Sequence, residues 1–145
     1  MRAIYVANRD PEDRSGQTAR RPVSEAMSSP VYTVPADLLL GDALAAMVRS
    51  GRRHLVAVDD AGRCVGVLAD RAVAAAWAHD HTALTCRPVA AVLDDRPPLL
   101  PARARVVDAA RMMRAGHIDA VIVVDDDRRP VGILTGSDLV ALLAR

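Results

Sequence analysis

The sequence predicts an α+β fold made of two copies of one unit, each with the element order β-α-β-β-α, packed sheet to sheet with pseudo-twofold symmetry. Three observations lead to this fold class. The chain matches itself without a gap when it is shifted by 66 residues. The apolar positions of both copies switch between strand and helix spacing in the same order. Hydrophobic residues make up 51% of the 145 residues, which is enough for a folded core.

The internal repeat keeps its register over the whole matched length. The tripeptide at Arg21–Val23 recurs at Arg87–Val89, and the tripeptide at Val58–Asp60 recurs at Val124–Asp126. We therefore expect a tandem duplication, with repeats at 21–79 and 87–145 and a linker at 80–86. Residues 8–20 are polar and broken by Pro and Gly, so residues 1–20 are expected to form a flexible leader. Alternatively, Met1–Ala7 adds an edge strand or swaps onto a partner.

Each unit opens with a strand and a helix. The first strands are expected at 31–34 and 98–101. The helices follow from apolar residues at i, i+3, i+4 spacing, which are Leu40, Ala43, Leu44, Met47 and Val48 in one unit and Val106, Ala109, Ala110 and Met113 in the other. Gly51 and Gly116 stand near the helix ends, where left-handed caps are common.

A hairpin and a second helix complete each unit. Runs rich in β-branched residues predict buried strands at 54–59 and 119–125, followed by turns and by strands at 64–69 and 130–135. Short helices end the units, with the following side chains expected to face inward: Val73, Ala76 and Trp77, and Leu139, Leu142 and Leu143. Neither three-stranded sheet can be covered by its own unit alone, so the two sheets should pack together.

Composition excludes several function classes. The chain has no lysine, which removes Schiff-base catalysis and the lysine-dependent phosphate loop. Its net charge of +1 and its three aromatic residues argue against nucleic acid or membrane surfaces as partners. No signal peptide core or long apolar run is visible, and two unpaired cysteines fit a reducing compartment, so a cytoplasmic protein is expected. No catalytic constellation is present, so we do not expect an enzyme.

Metal binding is not expected either. His79-Asp80-His81 lacks a third ligand nearby and is interpreted as surface linker. Asp125-Asp126-Asp127 is interpreted as a solvated hairpin turn. Cys64 opens a strand and should be buried, whereas Cys86 lies in the linker, where exposure leaves a redox role open.

Two motifs, each present twice, resemble a known family. DALAAMVRSGRRHLVAVDD has the partner DAARMMRAGHIDAVIVVDDD, and VGVLADR has the partner VGILTGSD. Both resemble the cystathionine-β-synthase-type (CBS) domain pair, or Bateman module, over residues 21–145. The resemblance implies a stand-alone regulatory module that senses AMP, ADP, ATP or S-adenosylmethionine in a cleft between the repeats and modulates a partner protein. It also implies a homodimer and a module that requires no cofactor besides this regulatory ligand. A ligand-free structural or protein-interaction module is the alternative.

The resemblance also implies a set of ligand-binding residues. In the family pattern at Gly132–Asp138, the carboxylate of Asp138 contacts ribose, and hydroxyls with free N–H groups at a helix start can bind phosphate. A basic pair before the middle strand of the other repeat reaches the phosphates. The expected residues are Thr135, Ser137, Asp138, Ile133, Arg53 and His54, with Leu99, Leu100 and Pro101 lining the adenine pocket. Alternatively, Asp138 is only a helix N-terminal acid, and Arg53-His54 is only a solvated turn.

The equivalent cleft is expected to be inactive. It would combine Ala69 and Ala72 of the first repeat with Asp119 and Ala120 of the second. We expect it to offer no ribose acceptor and no cation, while Asp119 repels phosphate. The sequence therefore predicts one ligand site per chain.

Overall fold

The chain forms two three-stranded sheets that face each other, with helices outside them. The computed structural model describes residues 11–144. Two helices, α1 (Pro11–Arg20) and α2 (Val23–Ala26), come first. The first repeat then contains β1 (Thr33–Pro35), α3 (Leu40–Ser50), β2 (His54–Val58), β3 (Cys64–Ala69) and α4 (Asp70–His79).

The second repeat has the same order of elements. It is preceded by α5 (Ala83–Cys86) and a 3-10 helix (Val89–Val92). It consists of β4 (Leu99–Pro101), α6 (Val106–Gly116), β5 (Ala120–Val124), β6 (Pro130–Thr135) and α7 (Gly136–Leu143). The predicted fold class and the order β-α-β-β-α are thus confirmed in both units.

The two sheets have the same topology. Their strand orders are β1-β2-β3 and β4-β5-β6, with the first pair parallel and the second pair antiparallel. Both hairpins carry a register shift at the same place, between Ala57 and Val58 and between Val123 and Val124. The two sheets thus share both their strand order and the position of their register shift, as expected for a duplicated unit.

Three groups of buried apolar residues hold the layers together. One lies between the first sheet and its helices and includes Leu40, Leu55 and Leu68. A second does the same in the second repeat around Val121 and Leu134. The third lies between the two sheets and joins the repeats, with members Val56, Cys64, Ala120, Ile122 and Ile133. The predicted packing of sheet on sheet is therefore confirmed, and it fixes both repeats as one body.

Each repeat is also covered by the segment that precedes the other one. Val23 donates its N–H to the carbonyl of Ala104 at 2.7 Å, and its side chain is buried in the core of the second repeat. Val89 donates to the carbonyl of Leu38 at 2.8 Å and is buried in the core of the first repeat. We call 21–31 and 87–97 the leading segments. Each leading segment packs on the repeat that it does not precede, so the two segments are exchanged between the repeats.

The leader differs from the prediction. Residues Pro11–Arg20 form a helix, α1, that contacts α6 and α7. A polar segment of ten residues is too short to be a stable helix by itself in water, so the contacts with the second repeat account for its order. The alternative that Met1–Ala7 forms an edge strand lies outside the described residues.

Several smaller expectations need correction. The left-handed residue after α6 is His117, with φ of 51°, while Gly116 is the last residue of the helix. Trp77 and Leu143 do not face inward, because they are 47% and 68% exposed. Instead, Trp77 stacks on His81 with ring centroids 4.5 Å apart. Val48 is also exposed, since the apolar stripe of α3 continues past the region that the sheet covers.

No helix among residues 11–144 is long and apolar enough to cross a membrane.

Candidate functional site

A cleft of about 830 Å³ opens between the repeats at the start of α7. We call it the α7 cleft. Its lining comes from the start of β2, the start of α4, the residue before β5, and the start of α7. The lining residues are Arg53, His54, Asp70, Arg71, Asp119, Thr135, Gly136, Ser137 and Val140. The structure thus brings Arg53 and His54 of one repeat together with Thr135 and Ser137 of the other.

The backbone explains why these residues meet. Gly136 donates its N–H to the carbonyl of Asp119 at 2.8 Å, which ties the start of α7 to the start of β5. The duplicated bond runs from Asp70 to the carbonyl of Arg53 at 3.0 Å and ties α4 to β2. Both helix starts therefore lie next to the segments that lead into the middle strands, at the seam between the repeats.

Asp138 lies at this helix start, where it forms a capping box with Thr135. Its Oδ2 accepts from the backbone N–H of Thr135 at 2.9 Å and from the Thr135 hydroxyl at 3.1 Å. The N–H of Asp138 donates back to the Thr135 hydroxyl oxygen at 3.3 Å. Oδ1 accepts only a long bond, 3.5 Å, from the hydroxyl of Ser28. Asp138 is therefore a helix cap with one oxygen that is weakly engaged.

The two basic residues that were predicted to contact phosphate are each paired with an aspartate. Arg53 Nε lies 3.3 Å from Asp70 Oδ2, and His54 Nε2 lies 3.2 Å from Asp119 Oδ1, with the imidazole as donor because a carboxylate only accepts. Burial disfavours the charged form of Asp119, but the hydrogen bond and the positive charge of His54, together with Arg71, lower its pKa below the ordinary value. The cleft therefore contains paired charges of both signs.

Sequence reasoning missed Asp70, Arg71 and the position of Asp119. A signal for the first two was available, because the 66-residue shift aligns Asp70 and Arg71 with Gly136 and Ser137 at the mouth of the cleft. A charged pair that replaces Gly-Ser at a duplicated helix start marks a difference between the two halves. The side-chain contact of Asp119 with His54 joins different repeats and could not be read from either motif.

The residues predicted to contact adenine do not belong to the lining of the α7 cleft. Leu99, Leu100 and Pro101 form β4, and β5 separates this strand from β6 and α7. Leu99 packs in the core between the sheets and Leu100 in the core of the second repeat, so neither lines the α7 cleft. Ile133 is also buried between the sheets. The contact of these residues with a ligand therefore stays a prediction.

The leading segment of the first repeat lies beside the motif instead. Ser28 and Ile133 exchange backbone hydrogen bonds at 2.8 and 3.1 Å, and the Ser28 hydroxyl reaches Asp138. Met27 packs against Gly132, where a β-carbon would overlap its side chain. The exchange of leading segments thus brings residues 27 and 28 next to the Gly132–Asp138 motif of the second repeat.

A second, smaller cleft of about 280 Å³ lies at the start of α4. The expectation that it contains no cation is wrong, because Arg71 and His117 line it, together with Asp94. His54, Arg71 and Asp119 line both clefts, since they lie at the seam between the repeats. Asp119 therefore lines the α7 cleft as well as the smaller one, whereas the sequence predicted it in the smaller cleft alone.

The remaining candidates take the following positions. Cys64 is buried and Cys86 is exposed, as predicted, and burial raises the pKa of the Cys64 thiol. Asp80 accepts from the N–H and the hydroxyl of Thr82, and these bonds lower its pKa. No group of three or more metal-ligating side chains occurs within the part of the chain that the structure describes.

Several known proteins are similar to this chain in sequence and in fold. A CBS domain-containing protein of Dictyostelium discoideum is 26% identical over 132 residues, covering 85% of this chain and 91% of the relative. The L-aspartate semialdehyde sulfurtransferase of Methanocaldococcus jannaschii is 29% identical over 120 residues, covering 81% of this chain but only 22% of that enzyme. These matches cover both repeats.

Solved structures give the same result. The CBS domain pair of protein MJ0100, in complex with 5′-methylthioadenosine and S-adenosyl-L-methionine, superposes with a TM-score of 0.77 and 26% identity, covering 86% of this chain and 97% of that one. A CBS domain protein of Thermoplasma acidophilum gives a TM-score of 0.76 and 27% identity, covering 86% and 72%. The sequence model of the CBS domain matches residues 23–79 and again 89–145. The chain belongs to the CBS domain family and is a tandem pair of CBS domains.

Proposed function

We propose that this CBS pair is a regulatory module, not an enzyme, that senses an adenosine-containing ligand in the α7 cleft and modulates a partner protein. One observation carries the proposal. The cleft brings the start of α7, which Asp138 caps, together with Arg53 and His54 of the other repeat. The MJ0100 domain pair, which has the same fold, was solved with two adenosine-containing ligands. The proposed site therefore lies on the side of the molecule where both repeats can contact one small molecule.

Asp138 is the proposed acceptor for the ribose hydroxyls. Its Oδ2 stays in the capping box with Thr135, so Oδ1 remains for the ligand. The long bond from Ser28 to Oδ1 is the contact that ribose replaces, and a 3.5 Å bond is weak. The helix start adds the exposed hydroxyl of Ser137, which can donate to a polar group of the ligand.

Ligand binding at a seam gives a physical route to regulation. A ligand that bridges Arg53 and Asp138 stabilises the arrangement of the repeats in which both side chains reach it. A partner that prefers this arrangement is then bound more tightly, and the coupling is reciprocal. We also propose a homodimer in which exposed apolar side chains such as Val140 and Leu143 of α7 are covered. A sedimentation coefficient that corresponds to a monomer at micromolar protein concentration would contradict the homodimer.

A ligand-free interaction module is the second candidate. It is favoured by the fact that Asp138, Arg53 and His54 all have partners in the chain itself. A site of this kind can be a structural seam whose polar groups satisfy one another. The two candidates differ in whether any adenosine compound stabilises the fold.

Thermal unfolding with 5′-methylthioadenosine, S-adenosylmethionine, AMP and ATP decides between them. A ligand at a hundred times its Kd adds about 2.7 kcal/mol to the free energy of unfolding, whereas an inert module shows no shift at millimolar concentration. Asp138→Asn should weaken binding about tenfold to a hundredfold, because a hydrogen bond to a charged acceptor is lost.

Asp108→Asn is the matched control. Asp108 accepts from the N–H of Arg105 at 2.9 Å at the start of α6, a helix that contributes no residue to the cleft lining. Both variants weaken a helix cap, but only the variant at position 138 should reduce binding. Equal binding by Asp138→Asn and the wild type would reject Asp138 as the ribose acceptor.

A further inference from the structure

We infer that the α7 cleft selects adenosine derivatives that carry a thioether, sulfonium or amino-acid group and discriminates against polyphosphate nucleotides such as ATP. The inference rests on the proposed function and names the class of ligand for that site. It comes from the pairing of both basic residues that were predicted to contact phosphate with a carboxylate.

The charges of the cleft are nearly balanced. Arg53 and Arg71 are its two guanidinium groups, and His54 is its imidazole. Asp70 lies 3.3 Å from Arg53, and Asp119 lies 3.2 Å from His54. The positive charge of Arg71 contributes to the lowered pKa of Asp119, so these two groups also face each other. Two carboxylates of the lining therefore oppose its two guanidinium groups, and Asp138 follows the lining residue Ser137 at the helix start.

The aspartates stay in the cleft even when their pairs are broken. The Arg53 side chain is 80% exposed, so its pair with Asp70 is weak and a phosphate can attract the guanidinium. Backbone hydrogen bonds hold both residues at the cleft, through the N–H of Asp70 and the carbonyl of Asp119. A displaced carboxylate therefore remains near the bound group and repels its negative charge.

This arrangement treats ligands differently according to charge. A phosphate monoester has close to two negative charges at neutral pH, and a triphosphate has about four, so ATP meets repulsion from Asp70 and Asp119. A sulfonium or ammonium group finds the same carboxylates as counterions, and the carboxylate of an amino-acid group finds Arg53 or Arg71. A neutral thioether nucleoside is neither attracted nor repelled and depends on Asp138 and on apolar contact.

Calorimetric titration with S-adenosylmethionine, 5′-methylthioadenosine and ATP tests the inference. The wild type should bind the first two at least about tenfold more tightly than ATP. Asp70→Asn/Asp119→Asn should bind ATP about tenfold more tightly and S-adenosylmethionine more weakly, with little change for methylthioadenosine. The single variant Asp70→Asn should show the same change to a smaller extent, and it preserves the His54–Asp119 contact if the double variant unfolds.

Asp126→Asn/Asp127→Asn is the matched control. It changes the net charge by the same amount in the β5–β6 hairpin, where both residues lie outside the α7 cleft. Its affinities should equal those of the wild type. Wild-type binding of ATP as tight as that of S-adenosylmethionine, or unchanged ATP affinity in the cleft variants, overturns the charge selection but leaves the proposed function intact. Failure of every adenosine compound to bind the wild type overturns both.

Discussion

Arg128 has a backbone conformation that normally belongs to glycine. Its φ is 64°, and its counterpart in the first repeat is Gly62, with φ of 78°. A side chain in this left-handed region costs roughly 1 kcal/mol relative to glycine. The carbonyl of Arg128 accepts the N–H of Cys64 at 2.8 Å, which joins the two repeats. The opposite bond cannot form, because Pro130 stands where the first repeat has Cys64 and has no N–H.

Arg128→Gly should raise the free energy of unfolding by up to about 1 kcal/mol, since glycine removes the strain and the backbone bond to Cys64 remains. Gly62→Ala should lower it by a similar amount for the opposite reason. Urea unfolding followed by circular dichroism measures both changes. A stability loss in Arg128→Gly would mean that the arginine side chain contributes more than its backbone strain removes.

At the element scale, two glycines lie in close contact with neighbouring segments, one with α5 and one with the leading segment of the first repeat. A β-carbon on Gly41 of α3 would lie 2.8 Å from the carbonyl oxygen of Leu84 in α5. A β-carbon on Gly132 of β6 would overlap the side chain of Met27. The first neighbour is backbone and cannot be removed, whereas the second is the flexible end of one side chain.

Gly41→Ala should destabilise the fold by about 1–3 kcal/mol, because α3 and α5 must move apart. Gly132→Ala should also destabilise it, but Met27→Ala should restore part of the loss. A double-mutant cycle by urea unfolding measures the coupling between positions 27 and 132. The matched cycle of Gly41→Ala with Leu84→Ala should show no rescue, and rescue there would place the strain in the leucine side chain.

The elements themselves were predictable because their signals are local. The stripe from Leu40 to Met47 and the β-branched runs before Asp59 and Asp125 are short-range patterns, and the duplication confirmed each one twice. The contact of Ser28 with Ile133 was not predictable, because it joins residues 105 positions apart in different repeats. The same lack of long-range information hid the contact of Asp119 with His54.

At the scale of the whole molecule, the His54–Asp119 pair links the repeats where the two clefts meet. The pKa of Asp119 is lowered in the folded state, since His54 and Arg71 outweigh the effect of burial. A lowered carboxyl pKa stabilises the fold at pH values above the unfolded pKa, about 3.9. This contribution is lost as the pH falls through the lower folded value.

The stability difference between the wild type and Asp119→Asn should therefore be present at pH 6 and disappear near pH 3. Its size is expected to stay below about 1 kcal/mol, because the Asp119 side chain is 53% exposed and solvent screens the pair. Urea unfolding at a series of pH values measures it, with Asp127→Asn as the control for a lost surface charge. A difference that grows toward acid would contradict a lowered pKa of Asp119 in the folded protein.

The exchanged leading segments make the two halves depend on each other for a closed interior. Cutting the chain between residues 80 and 86 would leave fragments that each lack the strip covering their own helices, so they must associate before either is complete. A single half made alone would offer that bare surface to a second identical molecule. The protein therefore behaves as a dimer tied into one polypeptide, in which covalent linkage has made the encounter of the halves independent of concentration.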